Sequence, residues 1–529
     1  MGERDDSTHS ILIPEILGQV FEYLTPSLRD PPLPVTPHVN PPRKRDLVSC
    51  ALSCRLFASL ALGLIWREMD TLLPLLQLLP GLQLVHGYYV LVNVLTETDL
   101  ARFDYYAALV KEYNHFLPQE DDEDIIPRIN TSIYSRIARL RPILLPSLTK
   151  FYCDADSFHD RVEIDNFASP FLKDVKIRFI SSSQKATEVL MYLSLLASQA
   201  TDVRKLDLSL EGSSAPACLQ TVSLLKNLTY LRLFLDAGAS SSYNTFLQDI
   251  ESLGTLESLE YLSIRCSHTQ SIIPPTYTLR STVTPDTFKS LKTLTVHGDY
   301  PILKTIFDLC RYSPIHQLDF EPVVDPRTSR MLKQGIAQWK STLRDVAVNH
   351  FTVTDDEVYE MSRDIEHLTC LPNLEILVIS FVYNLQYTIR DEDVVTIAEA
   401  WPGLEKLELW VKAEDFRNAP SVTVLKVLAD KCRNLKSITM PLNLDVPEIP
   451  ANASSLNPSS MHGLESLEVC VNPSLLVERL YQVRADGLAY WIWSAFPQVQ
   501  SVRGTWYNAF SDLWKNVEEE VKKLQGRSE

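Results

Sequence analysis

Apolar residues along this chain fall into two regimes of spacing. Near the start, Ile13, Ile16, Leu17, Val20, Phe21 and Leu24 recur every three or four positions, the stripe of an amphipathic helix. Pro14 suits the first turn of that helix, since its φ is preset and it has no N–H to lose. A second stripe runs through Leu47, Cys50, Ala51, Cys54, Phe57 and Leu60 and closes on Ile65-Trp66. Between the stripes, residues 25–46 contain Pro26, Pro31, Pro32, Pro34, Pro37, Pro41 and Pro42, which predicts an extended loop rather than a helix. So few residues would hardly bury that much apolar surface by themselves. The helices should dock onto something else.

From residue 148 onward the pattern changes to L-x-x-L-x-L/V/I. Segments of this form start at residues 148, 172, 203, 228, 259, 291, 315, 343, 374, 404, 435, 464 and 499, a mean spacing of about 29 residues that marks a leucine-rich repeat. Helical stretches lie between them, at 186–200, 391–403 and 421–434. Each repeat therefore reads as strand, turn and returning helix. Neither element buries its apolar side alone, so neighbours stack with parallel strands inside and helices outside. The predicted fold class is α/β: an N-terminal helical module over 11–70, then a curved leucine-rich-repeat solenoid over 148–508 with its strands on the concave face. Residues 1–10 form a polar tail and 71–147 a linker and helical cap, with 103–117 read as a helix and the acidic run 119–124 as solvated loop. Residues 489–502 and a charged C-terminal helix or tail within 509–529 should cover the open end. The Asn or Cys that such repeats usually carry is mostly missing, although Cys432-x-Asn434-Leu435 preserves it.

Alternation along a strand turns the motif leucines inward. It leaves Tyr230, Arg232, Phe234, Tyr261, Ser263, Arg265, Thr293, Thr295, His297, Lys406, Glu408 and Trp410 on the concave surface. Tyr, Arg and Trp are the residue types that dominate binding hot spots. Arg232, Arg265 and His297 would offer a basic stripe to an acidic or phosphorylated partner. For any single one of these residues, a solvated sheet position is the plainer reading.

Composition narrows the classes further. With 45% hydrophobic and 22% charged residues among 529, the chain reads as soluble and globular. A formal charge of −17 speaks against a nucleic-acid binder, which needs clustered Lys and Arg. Arg43-Lys44-Arg45 reads as solvated loop rather than a nuclear address. The nine cysteines form no Cys-x-x-Cys pair or zinc-type spacing, and Cys50 and Cys54 read as core thiols. Their odd number and a polar, acidic start fit a reducing compartment. No apolar run reaches the roughly 18 residues that span a bilayer, so no membrane partner is expected. Serine-hydrolase, zinc-protease, phosphate-loop and dinucleotide motifs are all missing, and the 11 histidines are isolated. Neither an enzyme, a metal site nor a cofactor is expected.

The N-terminal residues carry a resemblance. Ile-Pro-Glu-Ile-Leu at 13–17, Ser53-Cys54-Arg55-Leu56-Phe57 and the closing Ile65-Trp66 resemble an F-box, most closely those of the large F-box families of mushroom-forming fungi. Ser53 stands where the family has a hydrophobic residue, and the proline-rich insertion splits the module. The resemblance implies attachment to the Skp-type adaptor of a cullin–RING ubiquitin ligase, with the repeats capturing a protein target. Adaptor binding, or the helical core presenting it, would then fall to Ile13, Pro14, Ile16, Leu17, Phe21, Leu24, Leu47, Cys54, Phe57 and Trp66. Such a receptor would be monomeric within its complex, and cytoplasmic or nuclear. The alternative is a repeat scaffold whose helices only cap the array.

Overall fold

The computed structural model describes residues 17, 19–21, 41–115, 128–154, 164–178, 183–211, 215–236, 243–267, 283–298, 300–321, 334–350, 359–381, 387–410, 419–444, 462–470, 484–505 and 511–526. The chain divides into two compact units, 1–242 and 243–529.

The first unit opens with helices. Leu17, Gln19, Val20 and Phe21 are helical, and α1 (Pro41–Ser53) and α2 (Arg55–Ile65) follow. Helix α1 thus begins inside the span expected to be extended loop. Proline is tolerated in a first turn, where the missing N–H has no intrahelical acceptor, so Pro41 and Pro42 start a helix here rather than block one. The second apolar stripe is not continuous either. Cys54 is extended, with φ −158° and ψ 162°, and its Sγ accepts the Phe57 N–H at 3.5 Å as the N-cap of α2. That geometry exposes the thiol, which corrects the reading of Cys54 as a core residue; Cys50 is half-buried. Phe21 meets Phe57 edge-to-face at 5.3 Å, and Leu17, Phe21 and Leu47 are buried.

The helical module then runs into a sheet. Trp66 packs on Tyr106 with ring centroids 4.6 Å apart, and the Arg67 carbonyl accepts the N–H groups of Lys111 and Glu112. Strand β1 (Glu68–Met69) pairs in parallel with β4 (Glu112–His115), and β4 with β6 (Lys150–Asp154). The parallel ladder therefore starts well before residue 148. Of residues 103–117, expected as one helix, 103–107 end a helix over Ala101–Ala107 and 112–115 form β4, while 116 and 117 lie outside the described residues. Burial of Tyr113 in a column with Phe151 and Phe167 decides for the strand there. Between β1 and β4 lies a hairpin, β2 (Leu82–Val85) and β3 (Tyr88–Leu91), with β5 (Arg128–Ile129) beside β3. His86 and Gly87 both take positive φ at its turn, the backbone twist that a two-residue hairpin loop favours. Strands β7 (Asp174–Arg178), β8 (Lys205–Glu211) and β9 (Tyr230–Asp236) complete the parallel ladder of this unit.

The second unit continues the same construction. Among the described residues its parallel strands in ladder order are β10 (Tyr261–Ser267), β11 (Thr293–His297), β12 (Gln317–Glu321), β13 (Asp345–His350), β15 (Ile376–Phe381), β17 (Lys406–Trp410), β18 (Ser437–Pro441), β19 (Ser466–Cys470) and β20 (Ser501–Thr505). Two short strands, β14 (Tyr359–Glu360) and β16 (Tyr387–Thr388), pair with each other. Every one of the thirteen L-x-x-L-x-L segments yields a strand, and each strand begins two residues after the first residue of its motif. The inward positions, such as Leu206, Leu208, Leu294, Val296, Leu407 and Leu409, are fully buried. The fold is α/β and of the leucine-rich-repeat type.

Among the side chains that tie one repeat to the one before it are two tryptophans, a cysteine and a histidine. Trp339 Nε1 donates to the Cys310 carbonyl at 3.1 Å, and Trp401 Nε1 to that of Leu371 at 2.7 Å. Cys432 Sγ lies 3.5 Å from the Trp401 carbonyl, and His462 Nε2 lies 2.9 Å from that of Cys432. These carbonyls sit just past helices Tyr300–Leu309, Ser362–Leu368, Asp391–Ala400 and Val424–Lys431, where backbone acceptors lack an intrahelical donor. Trp and His thus take up part of the role that Cys432 plays here and that Asn227 and Asn373 play toward the Thr201 and Lys340 carbonyls. At the far end, helix Ser511–Leu524 buries Trp514, Val517 and Val521, and Gln525 Nε2 donates to the Val499 carbonyl at 3.0 Å. The Trp514 ring lies so close to Gly504 that any Cβ there would overlap it.

Candidate partner-binding surfaces

The sheet faces are built by register. In the first unit, Glu112, Lys150, Asp174, Lys205 and Tyr230 form one outward row, and Asn114, Tyr152, Lys176, Asp207 and Arg232 the next. Opposite charges on adjacent strands meet. Lys150 lies 3.0 Å from Glu112, Lys176 lies 3.7 Å from Asp207, and the Tyr152 hydroxyl donates to Asp174 at 3.0 Å. Burial raises the Asp174 pKa, with the Tyr152 hydrogen bond and nearby lysines acting the other way. Of the residues singled out from sequence, Tyr230 and Arg232 are half-buried and Phe234 is 38% exposed.

In the second unit, Tyr261 pairs in register with Thr293, Ser263 with Thr295 and Arg265 with His297. Tyr261, Thr293 and Arg265 are half-buried, whereas Ser263, Thr295 and His297 are buried. His297 sits between two carboxylates, 3.6 Å from Asp319 and 3.6 Å from Glu321. Burial works against its charged form, but Asp319 and Glu321 outweigh that and raise its pKa, with Arg265 opposing. The predicted basic stripe through Arg232, Arg265 and His297 is therefore corrected. His297 is consumed by its own acidic neighbours on the adjacent strand and presents no free cation to a partner.

Further along lies a patch of three strands by three rows. Asp345, Ile376 and Lys406 make the first row; Ala347, Val378 and Glu408 the second; Asn349, Ser380 and Trp410 the third. Among the thirteen motif strands, β15 is the one whose first two outward residues, Ile376 and Val378, are both aliphatic. On one side Glu408 is saturated, 2.8 Å from Lys406 and accepting Trp410 Nε1 at 3.1 Å, which fixes the indole. On the other side Asn349 donates to Asp319 at 2.5 Å and accepts from the Ser380 hydroxyl. Asp345 has no side-chain hydrogen bond or ion pair among the described residues. Burial pushes its pKa up to about 6, with Lys406 opposing and Asp319 and Glu408 adding to the rise. Lys406, Glu408 and Trp410 are thus neighbours on the outward side of β17, and the apolar centre beside them was missed. Its signal was present: the segment starting at 374 is apolar at outward as well as inward positions.

The helical module presents a second surface. Ile13, Pro14, Ile16 and Leu24 lie outside the described residues. Leu17, Phe21 and Leu47 are interior, Phe57 and Trp66 are half-buried, and Cys54 is an exposed cap. Exposed instead are Val20, Val48, Leu52 and Leu56, at 50%, 43%, 82% and 41%. Val48 and Leu52 are one turn apart, hence on one face of α1.

Burial pushes the Cys218 and Cys432 thiols up to about 11, away from the thiolate form a nucleophile needs. Among the described residues, no group of three or more His, Cys, Asp and Glu could hold a metal ion, and no helix is long and apolar enough to cross a membrane.

No family model matches the chain, and no curated protein does. Among solved structures it is similar to the Rad7 and Elc1 complex in yeast, at 13% identity and TM-score 0.36, over 70% of this chain and 81% of that one. It is also similar to the TLR13–ssRNA13 complex, at 14% identity and TM-score 0.35, over 76% of this chain and 53% of that one.

Proposed function

We propose that this protein is the substrate-recognition subunit of a cullin–RING ubiquitin ligase, with its N-terminal helices on a Skp-type adaptor and its repeats holding a protein target. The observation that carries the reading is the helical module itself. An F-box-like order of residues coincides with a small packed core, Leu17, Phe21, Leu47 and Phe57, beneath the exposed Val20, Val48, Leu52 and Leu56. Apolar side chains displayed outward are what a partner helix buries. The chain itself performs no bond chemistry in this reading. It raises the effective concentration of target beside the ubiquitin-charged enzyme, in the cytoplasm or nucleus.

Co-purification with a Skp-type adaptor tests this. Leu52→Asp and Val48→Asp alter exposed positions, so both variants should fold and lose adaptor recovery by about tenfold or more. Equal recovery of wild type and variants sinks the proposal. It would favour the scaffold reading, for which the Trp66–Tyr106 packing and the Arg67 carbonyl bonds speak.

A further inference from the structure

The three-by-three patch on β13, β15 and β17 combines features that a solvated sheet does not need. Ile376 and Val378 place aliphatic side chains outward, with Ala347 beside Val378 leaving a shallow place next to a bulky neighbour. Trp410 is held at the corner by Glu408, so a flat apolar wall is already in position. Charge on the β17 side is internally balanced, because Lys406 and Glu408 pair. Charge on the β12 and β13 side is not. Asp319 and Glu321 share the buried His297, and Asp345, in register with Ile376, is without an ion pair among the described residues, Lys406 two strands along the same row being the cation that acts on it.

We propose that this patch recognises a basic-apolar segment of a protein partner, seating an apolar side chain on Val378 and Ile376 against Trp410 and a neighbouring Lys or Arg on Asp345. The proposal rests on reading the sheet face as the target-binding one, and it supplies the chemistry of the target. Charge complementarity selects the occupant. An acidic or phosphorylated segment would meet Asp345, Asp319 and Glu321, and like charges so placed reject a partner. The apolar half supplies burial and the cation fixes register, the usual division of labour at an interface core and its rim. A half-buried carboxylate without a counter-ion is unfavourable in the free protein, and a partner cation would relieve it.

The full chain can be titrated with three fluorescein-labelled peptides of one length, bearing central Lys-Leu-Lys-Leu-Lys, Lys-Ser-Lys-Ser-Lys or Glu-Leu-Glu-Leu-Glu in Gly/Ser flanks. Anisotropy should show the first binding about tenfold or more tighter than either other, since each lacks one of the two required contacts. Asp345→Asn should weaken the first peptide by about tenfold and Val378→Thr by about threefold. Lys176→Ala, on the first unit, should leave its affinity unchanged. Equal affinity for all three peptides, or no change in Asp345→Asn, overturns the proposal. Adaptor recovery measured on the same variants keeps the two questions apart. If it persists while peptide selectivity fails, the ligase reading stands and only the partner chemistry is wrong.

Discussion

The two units share one inward face and differ in what they turn outward. In both, the same motif buries rows of Leu, Ile and Val to the same degree. In the first unit, outward charges answer one another across strands, as in Glu112–Lys150 and Lys176–Asp207. In the second, the region around β15 turns the half-buried Ile376 and Val378 outward and leaves Asp345 without an ion pair among the described residues. The inward rows are fixed by what neighbouring repeats need to stack. The outward rows are free, so a departure from self-neutrality there reflects use rather than architecture.

The comparison can first be pressed where the units should agree. Truncating an inward leucine, Leu208→Ala in the first unit or Leu407→Ala in the second, should cost about 2–5 kcal/mol in urea unfolding, because both are fully buried and leave a cavity. A large asymmetry would show that the two cores are not equivalent. The difference is then sharpened by Asp345→Asn. The folded-state pKa of Asp345 is raised from 3.8 to about 6, so the folded protein holds that proton more tightly than the unfolded chain. Its stabilising effect is present below about 4 and lost as pH rises through about 6. The variant should therefore be more stable than wild type at pH 7, by about 1 kcal/mol after allowing for solvent screening, and the gain should vanish near pH 4. A destabilised variant at pH 7 would mean that Asp345 has a structural partner. Smallest is Lys176→Ala, which removes one member of a partly exposed pair. It should shift stability by no more than about 0.5 kcal/mol, and less at high salt.

The repeat layer was legible because its signal is redundant. Thirteen copies of one spacing outvote any irregular member, and burial of each leucine follows from strand alternation alone. The start of the ladder was not legible. Strands β1 and β4 are short and lack the motif, and they form because Tyr113 stacks with Phe151 and Phe167, residues far away in sequence. The break at Cys54 was hidden because a 3.6-residue stripe continues across it; only a backbone turn and a thiol cap reveal two helices. His297 shows the same limit for charge. Reading along one strand counts a cation, whereas register sets Asp319 and Glu321 beside it. For the adaptor end, the family pattern named residues without separating contact from core, and of those described Leu17, Phe21 and Leu47 belong to the core.

The side-chain bonds from Trp339, Trp401, Cys432 and His462 to the preceding repeat carry a consequence for how such an array can change. A ladder of identical asparagines would let any repeat follow any other. Here the four groups differ in size and reach, and each meets carbonyls at the end of one particular helix. Inserting, deleting or swapping a unit within 300–470 would separate a donor from its carbonyl on both sides of the splice and leave mismatched volumes behind. Repeats in this stretch are therefore keyed to their neighbours, and the sheet face they display can be remodelled by point substitution far more readily than by shuffling.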